Sequence, residues 1–326
     1  MKTMKMGTVL HDQTRKDVEA RLKRGRPDLG SLVFRIALLA CLLFALVVLL
    51  VLVADVWSRG IGVLTDRGWD FLSAPLRTRA DEAGVFQSLR GTFWIGVFVV
   101  LLAFPFGIAA AIYLEEYAPD NRLTRFIDVN IRNLAGVPSV VYGILGFSIF
   151  VKAADGFFPN SVVDHNGKTT AAAGVTLAVL VLPIVIITAA EAIRAVPREL
   201  REGSYGVGAT KWDTIRTNVL PYAAPGILTG TLLSLARALG EAAPLILVGA
   251  VQGRLGSRTG FFEVEQLGEQ FTAMPITITD WAQKPENSGF VENTAAAIIV
   301  LLVVVLIANT GAILLRNRFE KKRAGR

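Results

Sequence analysis

Two ionisable residues interrupt an otherwise apolar stretch at 223–252. Arg237 and Glu241 stand four positions apart in LSLARALGEAAPLILVGA, so a continuous helix would bring them to one face, about one turn apart. Ionisable groups at membrane depth are costly unless they pair or face a water-filled cavity, which makes both candidates for a substrate pathway. An arginine in that setting offers a planar fork of donors suited to an oxyanion such as phosphate. The plainer reading is a mutual ion pair that neutralises both groups and fixes helix packing. The two readings are compatible if phosphate displaces Glu241 from Arg237.

A second polar feature lies just upstream, in EGSYGVGATKWDTIRTNVLP at 202–221. From Arg198 to Arg216 charged positions alternate with small or apolar ones, which suits short helices lying against a partner rather than crossing lipid. Of the glycines at 203, 206 and 208, Gly206 and Gly208 let a partner backbone or a second helix approach closely. Pro221, after Leu220, predicts a break before the next apolar stretch. These glycines are no dinucleotide fingerprint, because no strand precedes them and residue 211 is lysine. Gly167-Lys168-Thr169 looks like the end of a phosphate-binding loop, but position 162 is Val where the leading glycine belongs. It reads as a loop entering an apolar stretch, so no residue is assigned a catalytic role.

The elements that must hold these residues are membrane helices. Hydrophobic residues make up 52% of 326 positions and the mean hydropathy is +0.50, above the apolar share of ordinary soluble domains. Stretches at 36–54, 91–114, 133–151, 169–190, 223–252 and 293–315 are each long enough to cross a hydrocarbon core, which takes about 20 apolar residues. With six spans and the N-terminus inside, the cytoplasmic parts carry 22 Lys and Arg and the external parts 10. That bias places both termini in the cytoplasm. The net charge of +7 is thereby read as topology rather than nucleic-acid binding. Cys41 is the only cysteine, with His11 and His165 the only histidines, so neither a disulfide framework nor a metal site is expected. Prolines 105, 138 and 183 mark places where helices are expected to bend. Residues 252–292 form the longest external segment, in which Trp281 reads as part of an interfacial aromatic belt and Phe261, Phe262 and Phe271 as belt or docking residues.

The spacing from Glu202 to Gly208 to Leu220-Pro221 resembles the EAA loop of ABC importer permeases, with Asn218 departing from the isoleucine that the family favours there. Four further segments sharpen the likeness: GVPSVVYGILGFSIFV (136–151), LREGSYGVGATKWDTI (200–215), RALGEAAP (237–244) and FTAMPITITDWAQKP (271–285). Together with the basic end LLRNRFEKKR, they are similar to the PstA-type permeases of bacterial phosphate ABC importers, over about residues 86–318. The last segment and Ala242-Ala243-Pro244 favour the PstA-type over the sister PstC-type subunit.

The resemblance implies an all-α integral membrane protein of the bacterial inner membrane, with six transmembrane helices and the type I, MetI-like permease fold. Its parts are a cytoplasmic tail (1–34), a first helix (35–55), an external segment (56–85), a permease core (86–316) containing the coupling loop (191–221), and a basic tail (317–326). It implies that Glu202, Gly203, Gly206, Gly208, Ala209, Leu220 and Pro221 belong to a loop coupled to a separate ATPase. The implied partners are a PstC-type second permease, a PstB-type ATPase dimer using ATP and Mg, a PstS-type external phosphate-binding protein, phosphate and membrane lipid. The chain itself would bind no cofactor or metal and would not be an enzyme. Alternatives are a permease for sulfate or molybdate, a phosphate-sensing scaffold, and a secondary transporter, which the coupling loop disfavours.

Overall fold

The computed structural model describes residues 29–153, 167–253, 255 and 260–324, and every regular element among them is helical. In chain order these are α1 (Leu29–Asp66), α2 (Gly68–Ser73), α3 (Phe86–Tyr117), α4 (Arg122–Ala135), α5 (Ser139–Val151), α6 (Thr170–Arg194), α7 (Arg198–Gly206), α8 (Lys211–Gly240), α9 (Ala243–Val248), α10 (Met274–Ala282) and α11 (Phe290–Ala324). Five of them are long and apolar enough to span a membrane, and six spans result if the bent pair α4 and α5 counts as one. His11, His165 and the first 28 residues of the N-terminal tail lie outside the described residues.

The chain divides into two units, residues 1–55 and 56–326. In the first, residues 29–55 form the start of α1, whose leucines, valines and Phe44 are exposed. A helix apolar all round has no aqueous face to offer and matches lipid on every side. It runs from Leu29, well before the 36–54 expected, and continues to Asp66.

In the second unit α6 is the central helix, packed against α3, α4, α5 and α8. Its sequence, TAAAGVTLAVLVLPIVIITAAEAIR, is small and apolar on most faces, and two thirds of its most apolar window is buried. Thr169 caps it by accepting a hydrogen bond from the Ala172 amide, so Gly167-Lys168-Thr169 is the lead-in to this helix. Small residues set the spacing to its neighbours: a Cβ added to Gly146 of α5 would lie 2.3 Å from Thr176 Oγ1, and one added to Gly230 of α8 would lie 2.5 Å from Thr188. Apolar lipid gives little drive for helix association, so such close approach carries the packing. Gly230→Leu is therefore expected to separate α8 from α6 and lower the yield of membrane-inserted, detergent-stable protein several-fold, measured by fluorescence-detected size exclusion.

Several boundaries differ from those expected. The third apolar stretch is not one helix, because α4 and α5 meet at 99°. Pro138 stands at the N-cap of α5, where it cannot prolong the preceding helix. Asn133 consequently belongs to α4. The other prolines behave differently. Pro105 and Pro221 lie inside continuous helices, each just after a π-helical stretch, Val99–Ala103 and Ile215–Val219. A proline removes one amide and crowds the carbonyl four residues back. Those carbonyls, on Leu101 and Thr217, fall within the two π stretches, where the bonding register has already shifted to five residues. Pro221 thus marks no break, and α8 runs unbroken from the polar loop at Lys211 to Gly240. Pro183 is likewise absorbed within α6.

Trp281 does not stand in an interfacial belt. It is 2% exposed, on α10, with Phe71 and Phe290 ring centroids at 6.3 and 5.4 Å. The segment expected to be external loop folds back as a helix that buries Met274, Ile276 and Trp281, and Phe271 just before it is buried too. Phe262 alone of that set is widely exposed, packed edge-on to Phe261 and Phe93.

Candidate functional site

The helix carrying Arg237 ends sooner than the sequence suggests. Pro244 in the first turn of α9 has no amide to offer the Gly240 carbonyl and would crowd it were the helix to continue. The chain therefore leaves the helix at Glu241, whose φ of −78° and ψ of 118° are extended. α9 then packs on α5, where a Cβ on Gly143 would lie 2.7 Å from the Pro244 Cα. Arg237 and Glu241 accordingly do not share a helix face. Glu241 folds back from beyond the helix end, and its Oε1 lies 3.4 Å from Arg237 Nε.

The two members of the pair differ in setting. Glu241 is 18% exposed and Arg237 52% exposed, and among the described residues Glu241 is the one acid paired with it. The shortest contact is made at Nε, and the guanidinium carries two further nitrogens besides. Arg237 also lies in the last turn of α8, where unsatisfied carbonyls favour a cation. It stands about 24 Å along the axis from Pro221 at 1.5 Å per residue, toward the far side of an apolar core of about 30 Å. A half-exposed arginine at that depth needs water or a partner against it.

The polar loop is built as two short arms. α7 starts after Pro197, and Gly208, with φ of +86°, makes the tight reversal that few side chains tolerate. Thr210 then caps α8 by accepting from the Asp213 amide. The arms are tied by the hydroxyls of Ser204 and Thr214, 2.9 Å apart, and by Asn218 Nδ2, which donates to Ser204 Oγ at 3.1 Å. Asn218, the departure from the expected isoleucine, thus serves as a strut inside the loop. Glu202, Gly203, Gly206, Gly208 and Pro221 are exposed, while Ala209 and Leu220 are half-buried. Nothing in the chain lies within 4 Å of a Cβ added to Gly203, Gly206 or Gly208. Beside them Leu200, Tyr205, Val207 and Trp212 expose apolar surface, Val207 at 86%. The loop and the Arg237 pair lie at opposite ends of α8.

Sequence reasoning missed the residues beneath the loop. Arg201 turns inward and bonds Glu116 at the end of α3, while its neighbour Glu202 faces out. The adjacent acids Glu115 and Glu116 at the close of an apolar stretch were the available signal.

Residues 103–324 match the family described as "Binding-protein-dependent transport system inner membrane component". The chain is 35% identical over 258 residues to "Phosphate transport system permease protein PstA 1" of Mycobacterium tuberculosis (strain CDC 1551 / Oshkosh), covering 78% of each. It is 36% identical to "Phosphate transport system permease protein PstA" of Mycobacterium leprae (strain TN), over 78% of this chain and 79% of that one. To "Phosphate transport system permease protein PstC" of Haemophilus influenzae it is 30% identical, over 63% of this chain and 69% of that one. Among solved structures, a chain of a bacterial alginate ABC transporter in complex with an alginate pentasaccharide-bound periplasmic protein superposes with a TM-score of 0.63, at 13% identity, over 89% of this chain and 95% of that one. That last likeness speaks to the fold alone.

Proposed function

The chain belongs to the family of binding-protein-dependent transport system inner membrane components, and from that premise we propose that it is the membrane-spanning permease subunit of an ATP-driven phosphate importer of a bacterial inner membrane. The functions named for its PstA and PstC relatives support phosphate as the substrate. The observation that carries the reading within this chain is Arg237, half-exposed inside a span, next to a helix break and beside a single, less exposed acid. A planar fork of donors fits a tetrahedral oxyanion, and a lysine would offer only a point charge.

In this reading both termini are cytoplasmic, and a second permease of the PstC type completes the pathway. The loop through Glu202, Gly203, Gly206, Gly208 and Ala209 rests on one copy of an ATPase dimer, which consumes the ATP and Mg. An external phosphate-binding protein delivers the substrate. This chain binds no nucleotide and catalyses no reaction. Phosphate reaching Arg237 competes with Glu241 for the guanidinium, so the acid holds the cation's place when no anion is present. A permanent carboxylate partner also weakens anion binding, which favours release.

The test is uptake of radiolabelled phosphate into proteoliposomes holding the whole assembly, with ATP inside reach of the motor and loaded binding protein on the opposite face. Uptake should require ATP and survive an excess of sulfate or molybdate. Competition by either of those anions at equal concentration would overturn the choice of substrate.

A further inference from the structure

Three consecutive residues at the end of α3 each hold a cation from a different element. Glu115 accepts from Arg194, the last residue of α6, with Nε to Oε2 at 3.2 Å. Glu116 Oε1 accepts twice from Arg201 of α7, from Nε at 3.1 Å and Nη2 at 2.8 Å. The Tyr117 ring lies under the ammonium of Lys211, the first residue of α8, 4.9 Å from its centroid. Successive side chains around a helix point in different directions, so the three cations hold the end of α3 from different elements. The stretch doing this, Tyr113–Tyr117, is π-helical, and such stretches recur at functional sites.

The middle contact differs from its neighbours. Glu116 is 6% exposed and Arg201 20%, whereas Arg194 is more than half exposed. Arg201 also donates Nη1 to the Val196 carbonyl at 2.7 Å and Nη2 to the Ile193 carbonyl at 3.0 Å. Those carbonyls lie at the C-terminal end of α6, where intrahelical partners run out. One guanidinium thus joins α7, α6 and α3, with donors in three directions that a lysine cannot supply. The far end of α3 is equally engaged: Gly96 sits 3.2 Å, measured from an added Cβ, from Leu239, two residues from Arg237, and Thr92 Oγ1 accepts from the Met274 amide at 2.8 Å.

We propose that Glu116, acting through Arg201, is the positioning residue that fastens the coupling helix α7 to the end of α3, so that displacement of α7 by a docked ATPase is delivered to α3 and along it to the helix end holding Arg237 and Glu241. The inference rests on the permease reading above. α7 then works with two faces. Glu202, Gly203 and Gly206 face outward to the motor, and Arg201 and Ser204 face inward to their own chain. Rigid contact on the inner face is what separates a lever from a tether.

The experiment measures ATP hydrolysed per phosphate imported by the reconstituted whole transporter, comparing the parent with Glu116→Gln and Arg201→Lys. Glu116→Gln keeps the size of the side chain while removing its charge, and Arg201→Lys keeps the charge while removing the fork. The ratio is expected to rise roughly tenfold, within the usual range of coupling between sites, with ATPase activity retained. A merely structural role would lower import and hydrolysis together, leaving the ratio unchanged, and that result overturns the proposal. A second measurement guards against poor assembly: Glu116→Cys with Arg201→Cys in a Cys41→Ser background should be uncoupled, and a short bis-maleimide bridging the pair should restore coupling. Failure of the bridge to restore it, with bridging confirmed by mass spectrometry, also counts against the proposal. Import of phosphate by the parent is the separate check on the permease reading, since the ratio in the variants bears only on the clamp.

Discussion

Arg237→Ala is expected to lower phosphate uptake by about thirtyfold or more, the low end of the range for truncating one member of a charge pair because Arg237 is half-exposed, while the protein inserts and assembles as the parent does. The expectation follows from the asymmetry of the pair. Arg237 is the more exposed member, in the last turn of α8, so its loss removes little buried surface. Its removal leaves Glu241 inside the membrane without a cation, however, and a carboxylate there repels phosphate as well as costing stability. The second variant, Arg237→Lys, separates charge from shape. It keeps a cation beside Glu241 and should assemble well, yet recover only a minor part of the uptake because it lacks the fork. Glu241→Gln should have the opposite sign for binding: with its resident anion gone, Arg237 holds phosphate more tightly and release slows. Uptake by Arg237→Ala equal to the parent, with assembly verified, would make the pair structural and move substrate contact to the second permease.

The helical membrane character and the position of the loop were legible in the sequence because hydrophobicity and charge act locally: twenty apolar residues in a row need no tertiary context to be read. The helix ends were not, and the reasons are specific. Pro221 predicts a helix stop, but a π stretch just before it accommodates the ring, a shift in bonding register that no residue type announces. The real stop is at Gly240, set by Pro244. The four-residue spacing of Arg237 and Glu241 suggested one helix face, and the pair forms by a different route, with the acid returning from beyond the helix end. Trp281 carried the signature of an interfacial aromatic, and only the folding back of α10 onto Phe71 and Phe290 buries it. The Glu116 to Arg201 contact bridges 85 positions of sequence, where spacing carries no information at all.

Val207→Asp is expected to abolish co-purification of the ATPase subunit, weakening its attachment by about a hundredfold or more, while leaving the permease folded. Val207 is 86% exposed at the tip of the loop, one residue before the reversal at Gly208. Monomeric surfaces rarely display a β-branched apolar side chain so fully beside Tyr205, Trp212 and Leu200 unless the patch meets a partner. Central apolar residues of such patches dominate binding, and a buried unpaired carboxylate in their place carries a desolvation cost as well as the lost contact. Because the Val207 side chain is 86% exposed, thermal stability of the isolated permease should not change, and that constancy is the internal control. Gly203→Leu probes the same surface by size. Its Cβ meets nothing within 4 Å in this chain and leucine favours the helix more than glycine does, so any loss of ATPase attachment must come from the partner's side. Attachment unchanged in both variants, measured by pull-down of the ATPase from detergent-solubilised complex, would show that the motor docks elsewhere and would also remove the premise on which the Glu116 clamp transmits its movement.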